Sequence, residues 1–229
     1  MKQKHQAWAD RALDRGPVHR HGSCIRMLSP TSPVAALYEP TDYFRRLEKS
    51  EIFSGSDQPL EIDLGCGDGN FLIELAAHHP DRNFLGIERL LGRAQKVPRK
   101  ARRLGLINVK AFRIDAAYAV SFLLPEASIA RLHLLFPDPW PKKKHHKNRL
   151  VTDAICLAVH RLLEPNGEWL FKTDHSGYFA EAVESIRGTR LFDELPWSDE
   201  DFFYPATDFE RQWIGQGRTV ERARFRRRR

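Results

Sequence analysis

From residue 60 onward the chain repeats one arrangement, a short apolar run followed by a longer amphipathic stretch. Strands covered on both faces read as apolar runs and the crossovers between them as helices, so this alternation is the mark of βαβ units on a parallel sheet. It predicts strands over 60–64, 83–87, 108–114, 130–136, 167–172 and 219–225, and helices over 69–79, 90–104, 116–124, 149–163 and 176–187. Pro98 falls inside the second helix and divides it. The fold class is therefore α/β, a doubly wound, mostly parallel sheet with helices on both faces. Upstream, 38–49 reads as a short helix and 51–59 as a loop into the core, whereas 1–35 has no sustained period. The expected organisation is a basic, largely disordered extension over 1–50, one domain over 51–225 and an arginine-rich tail over 226–229.

Ligands of open α/β sheets bind at the carboxyl ends of the strands, so the residues there carry the functional argument. The first strand runs Glu61-Ile62-Asp63-Leu64 into Gly65-Cys66-Gly67-Asp68-Gly69-Asn70, a glycine turn that lets a ligand approach the main chain. A nicotinamide dinucleotide fingerprint places its third glycine at position 70, which is Asn here, and Asp63 beside the turn would repel a pyrophosphate. A zwitterionic, sulfonium-bearing ligand meets no such repulsion. Glu88 ends the second strand, where a carboxylate can accept two hydrogen bonds from a ribose diol. Asp115 ends the third, within reach of an adenine edge. One such acid is ordinary loop chemistry; three at successive strand tips behind a glycine turn define a site.

The fourth strand ends in Phe136-Pro137-Asp138-Pro139-Trp140-Pro141 and passes directly into Lys142-Lys143-Lys144-His145-His146-Lys147-Asn148-Arg149. Prolines at alternate positions push the residues before them toward extended geometry and hold Asp138 and Trp140 on a stiff segment. A rigid carboxylate and an indole suit a planar polar ligand, and the basic run suits polyphosphate.

With that motif added to the glycine loop, the sequence resembles the bacterial tRNA (guanine-N7-)-methyltransferase family, from about Leu60 to Phe225. Phe171-Lys172-Thr173-Asp174, with Tyr178 following, and Thr207-Asp208-Phe209-Glu210 are each similar to a substrate-binding motif of the family. The resemblance implies a Rossmann-like class I methyltransferase fold and S-adenosyl-L-methionine as cofactor. It also implies methylation of guanosine N7 in tRNA, in the variable loop, and a cytoplasmic protein. By the same resemblance Asp63, Gly65, Glu88, Asp115 and Asp138 bind the cofactor and Asp138 is catalytic, while Lys142, Asp174, Thr207, Asp208, Phe209 and Glu210 contact the RNA. Two departures stand out, Asn148 where the family often has Arg and Asp68 where Lys is common. An amino-methyltransferase remains an alternative, because Asp138-Pro139-Trp140 is similar to the Asp/Asn-Pro-Pro-aromatic turn used on exocyclic amines. A non-catalytic nucleic-acid-binding module is another.

The charge distribution favours a polyanionic partner. The net charge is +7, the stretch 89–113 holds nine Lys or Arg and no acid, and the chain ends Arg-Phe-Arg-Arg-Arg-Arg. Phosphate contacts are expected from Lys142 to Arg149 and from Arg222 to Arg229, with Trp140 stacking on an extruded base. The acidic stretch 193–201 reads as mostly solvated surface. No run approaches the roughly 20 apolar residues of a membrane span, and 1–22 lacks the apolar core of a signal peptide. Cys24, Cys66 and Cys156 are scattered without metal-ligand spacing, and the adjacent His145 and His146 point to different sides, so no metal is expected.

Overall fold

The structure is a computed structural model that describes residues 37–198 and 202–229. Seven strands form one sheet: β1 (Leu60–Leu64), β2 (Asn83–Ile87), β3 (Val109–Phe112), β4 (Ile129–Leu135), β5 (Leu163–Thr173), β6 (Phe192–Leu195) and β7 (Glu221–Arg227). Their order is β3-β2-β1-β4-β5-β7-β6, with β1 to β5 parallel and β7 antiparallel to both its neighbours. The helices are α1 (Lys49–Ile52), α2 (Asn70–His78), α3 (Leu91–Ala94), α4 (Lys96–Leu104), α5 (Ala116–Tyr118), α6 (Asp153–Leu162), α7 (Ser176–Gly188) and α8 (Asp208–Gly215). A π-helical turn, Ala119–Leu123, continues α5, and a 3-10 turn, Lys143–Asn148, follows β4.

Alternation along the strands makes two cores. Leu60, Ile62 and Leu64 of β1, with Trp169 and Phe171 of β5, face α6, α7 and the π-helical turn. Phe84, Val109 and Ala111 face α2 and α4. The helices thus cover both sides of the sheet, as doubly wound folds require. Of the expected strands, 60–64 and 83–87 are found at those bounds. The predicted second helix is divided into α3 and α4, because Pro98 cannot donate to the Ala94 carbonyl and its ring crowds that group.

The N-terminal reading changes. Residues 38–48 are not helical, and α1 begins only at Lys49: Tyr38 forms a parallel bridge with Phe112, its amide donating to the Ala111 carbonyl at 2.7 Å, and Leu47, Ile52 and Phe53 are buried. Sheet pairing and burial override the local helical pattern. The part of the expected extension beyond residue 36 is therefore packed, and the rest lies outside the described residues. At the other end Arg226 and Arg227 belong to β7 and not to a tail, and the acidic stretch begins inside a strand, Phe192–Leu195. Asp193 and Glu194 nevertheless remain exposed.

Gly86, in the middle of β2, marks how closely α2 lies on the sheet. A Cβ there would stand 2.5 Å from Cys66 Sγ and 2.9 Å from Leu72 Cδ2. Gly86→Ala is expected to destabilise the protein by about 1–3 kcal/mol through overpacking, read as a lower urea midpoint at unchanged slope. An unchanged midpoint would mean that α2 can move away freely.

Candidate active site

The glycine turn after β1 is folded around the end of β2. The amides of Gly65 and Cys66 both donate to the Ile87 carbonyl, at 2.8 and 3.0 Å, and Gly69 in the left-handed region begins α2. Glu88 closes the turn, one oxygen accepting from Gly67 N at 3.1 Å and the other from Leu90 N at 2.7 Å. Asp63 lies beneath. It is 3% exposed, and among the described residues no donor reaches its carboxylate. Burial, and then the neighbouring Glu88 carboxylate, push its pKa up from 3.8 to about 7. Asp115 caps α5 by accepting from Tyr118 N at 3.0 Å and remains exposed.

Asp138 reaches the same cleft from β4. Phe136 still donates to the Lys172 carbonyl at 2.8 Å, but then φ becomes positive, 53° at Phe136 and 42° at Trp140. Both residues precede proline and were expected to be extended. The chain instead turns sharply at each, and such backbone costs on the order of 1–3 kcal/mol per residue. Arg149 holds the far side of this turn. Its guanidinium is buried, donates to the Pro139 carbonyl at 2.9 Å, pairs with Glu181 and lies 4.9 Å over the Tyr178 ring. The expected phosphate contact at Arg149 is therefore an internal brace, whereas Lys142 to Lys144 are exposed.

The cleft's third wall is α8, which the strand and helix pattern did not predict. Thr207 caps it, accepting from Glu210 N at 3.0 Å, and Asn70 donates to Asp208 at 2.5 Å across the opening. Beneath α8 the sheet face is ionic. Lys172 donates to both oxygens of Glu210 at 2.7 and 2.9 Å. His133 bridges Glu61 and the Tyr204 hydroxyl at 2.9 Å each. Burial lowers the His133 pKa although Glu61 opposes it, and a neutral ring protonated on Nε2 satisfies both contacts.

One cleft of about 750 Å³ unites Asp63, Gly65, Glu88, Asp115, Asp138, Thr207, Asp208 and Phe209, with Trp140 and Phe136 in its wall. The remaining expected residues lie elsewhere. Lys142 is exposed beyond the rim, Asp174 pairs with Arg218 at 3.1 Å, and Glu210 is buried against Lys172. Sequence reasoning missed Lys172 and Asn70 as residues that hold α8. The Thr207-x-x-Glu210 spacing is that of a capping box and would have exposed the helix.

A mostly parallel sheet with this strand order, a glycine turn after β1 and acids at successive strand tips defines a methyltransferase domain. The 16S rRNA methyltransferase KamB superposes with a TM-score of 0.58 at 14% identity, covering 81% of this chain and 96% of that one. The aminoglycoside resistance methyltransferase NpmB1 superposes at 0.53 and 17%, covering 80% and 95%. The family described as "Putative methyltransferase" matches residues 57–223. The tRNA (guanine-N(7)-)-methyltransferase of Paracoccus denitrificans is 30% identical over 220 residues, 91% of this chain and 93% of the relative. That of Chromohalobacter salexigens is 37% identical over 166 residues, 70% and 68%. For the Thermotoga maritima enzyme the values are 32% over 173 residues, 75% of this chain but only 55% of the relative. The chain belongs to the tRNA (guanine-N(7)-)-methyltransferase family.

Asp63 generates a pH-dependent prediction. Its raised pKa means that the folded protein holds this proton more tightly than the unfolded chain, so the stability it contributes below pH 4 is lost as pH rises through about 7. Asp63→Asn is expected to match wild type near pH 4 and to exceed it by up to about 4 kcal/mol at pH 8, in urea unfolding without ligand. Equal differences at both pH values would show that Asp63 is not desolvated.

Proposed function

We propose that the protein transfers a methyl group from S-adenosyl-L-methionine to N7 of a guanosine in the variable loop of tRNA, giving 7-methylguanosine. The observation that carries this reading is the meeting of Asp138 with Asp63, Glu88 and Asp115 in one cleft at the strand ends. The donor set fits the cofactor. Asp63 is a buried carboxylate that no donor reaches among the described residues, ready for a cationic amine, and the glycine turn leaves main chain open beside it. Glu88 would hold the ribose hydroxyls and Asp115 the adenine edge, with Gly65 against the methionine part. When bound, the cofactor supplies an electrophilic methyl on sulfonium.

Guanine N7 has a free lone pair, so no base has to remove a proton and the protein's task is orientation. Holding two reactants in line contributes on the order of 7 to 11 kcal/mol. The purine gains positive charge as the methyl arrives, and the exposed Asp138 carboxylate, which accepts no hydrogen bond among the described residues, is stabilising there. Trp140 stacks on the extruded base. Phe209, about half exposed and 6.3 Å from the Phe136 ring, joins Thr207 and Asp208 against the substrate. Lys142 and Asp174 meet the RNA outside the cleft, and Glu210 acts through the position of α8. The catalytic domain extends beyond 51–225 to take in Tyr38, Leu47 and the end of β7 at Arg227, and the reading places the protein in the cytoplasm with its substrate. Among the described residues no helix is long and apolar enough to cross a membrane.

Incubation with labelled S-adenosylmethionine and unmodified tRNA, followed by nucleoside analysis, is expected to put label in 7-methylguanosine. Asp138→Ala should lower the rate about 10²- to 10³-fold. Label in another nucleoside would overturn the N7 assignment. Arg149→Met is expected to lower turnover about 10- to 100-fold by loosening the Asp138 turn, with RNA affinity and its salt dependence unchanged. A shallower salt dependence would return Arg149 to the RNA surface.

A further inference from the structure

Three of the arginines near the chain's end, Arg224, Arg226 and Arg228, pair with carboxylates of the same molecule, and Arg227 donates to the Leu163 carbonyl. Arg224 and Arg226 reach Glu168 at 2.8 and 3.4 Å, and Arg228 reaches Asp193 at 2.5 Å. The face of α3 and α4 is the reverse. Val97, Pro98 and Ala101 turn α4's apolar side to the sheet, which puts Lys96, Arg99, Arg102 and Arg103 together on the outside. All four are exposed, as are Arg89 and Arg93. Among the described residues only Lys96 of these pairs with a carboxylate, Asp68 at 2.7 Å, and Arg99 touches the neutral Gln95. For Arg89, Arg93, Arg102 and Arg103 no acidic partner exists among the described residues.

Arg102 and Arg103 suit the macrodipole in the last turn of α4, but the rest of this arrangement works against the helix. Arg99 and Arg103 are like charges one turn apart, and α4 has no acid in its first turn, where the macrodipole favours one. Among the described residues no carboxylate pairs with Arg99 or Arg103 to offset the repulsion. The cations also continue into the active site, since Arg89, Arg93 and Lys96 line the cleft that holds Asp138. We propose that the outer face of α3 and α4, through Arg93, Arg99, Arg102 and Arg103, is the docking surface for the phosphate backbone of the RNA substrate. The proposal rests on the tRNA reading and assigns this contact to α4 and not to the C-terminal arginines.

The test compares wild type, the triple variant Arg99→Gln/Arg102→Gln/Arg103→Gln, and Arg228→Gln in binding to an unmodified tRNA transcript over a range of salt. Each lost phosphate contact lowers the slope of log affinity against log salt by about 0.7 to 0.9, so the triple variant should be shallower by about 2 to 3. Arg228→Gln should keep the wild-type slope. The triple variant should also bind S-adenosylhomocysteine like wild type and melt close to wild type, because relief of repulsion offsets the loss of two cations from the last turn. A wild-type slope in the triple variant, with S-adenosylhomocysteine binding intact, would overturn the docking face while leaving the tRNA reading standing. A wild type that binds anionic vesicles but no tRNA would overturn both.

Discussion

The active-site side of the molecule depends on a layer of buried charge. On the face of β1, β4 and β5 that carries the cleft, Glu61, His133 and Lys172 stand where a doubly wound sheet ordinarily shows aliphatic side chains. Each must find a partner, because an unpaired buried ion costs several kcal/mol and a buried polar ring without a hydrogen bond is costly too. One segment supplies two of the partners, Tyr204 for His133 and Glu210 for Lys172, while Glu61 is met by His133 and Arg82. Aromatic rings complete the seal. Lys172 lies 5.0 Å from the Trp197 ring and 4.9 Å from Tyr204, and Arg131 lies 4.5 Å over Phe202. An apolar interface could slide, but these directional pairs fix one register. The segment's next residues, Thr207 to Phe209, therefore reach the cleft at a defined height.

The protein's many cations do two opposite jobs. Some are internal: Arg149 braces the Asp138 turn, and Arg224 with Arg131 neutralises Glu168 between strands. Others are left to solvent on α3, α4 and the 3-10 turn. Net charge alone does not separate these populations. What separates them is the supply of carboxylates nearby, abundant around β5 to β7 and absent from 89–113.

How much of this was legible in sequence follows from where each interaction is encoded. β1, β2 and the glycine turn are specified by contiguous residues, and sequence reasoning placed them to the residue, together with the acids that the strand ends bring into one cleft. β6 was not visible because half of Phe192–Leu195 is acidic, and its identity as a strand comes from pairing with Arg224–Arg227 more than 25 residues later. Tyr38 likewise acquires its conformation from Phe112. The left-handed turns at Phe136 and Trp140 contradict the local preference before proline, and tertiary contacts decide them. Arg149 reads as one more charge in a basic run until its Pro139 and Glu181 partners are known.

The position of β7 bears on how the chain acquires its shape. β6 is synthesised first, yet it pairs with β7 alone, and β7 sits between β6 and β5. Until residues 221–227 arrive, Phe192–Leu195 has no neighbour and one edge of β5 stands open. The parallel half, built from sequential βαβ units, can assemble as it is made, whereas the antiparallel half must wait for a long-range insertion. During that interval the open edge of β5 is the place where pairing with another chain would compete with folding.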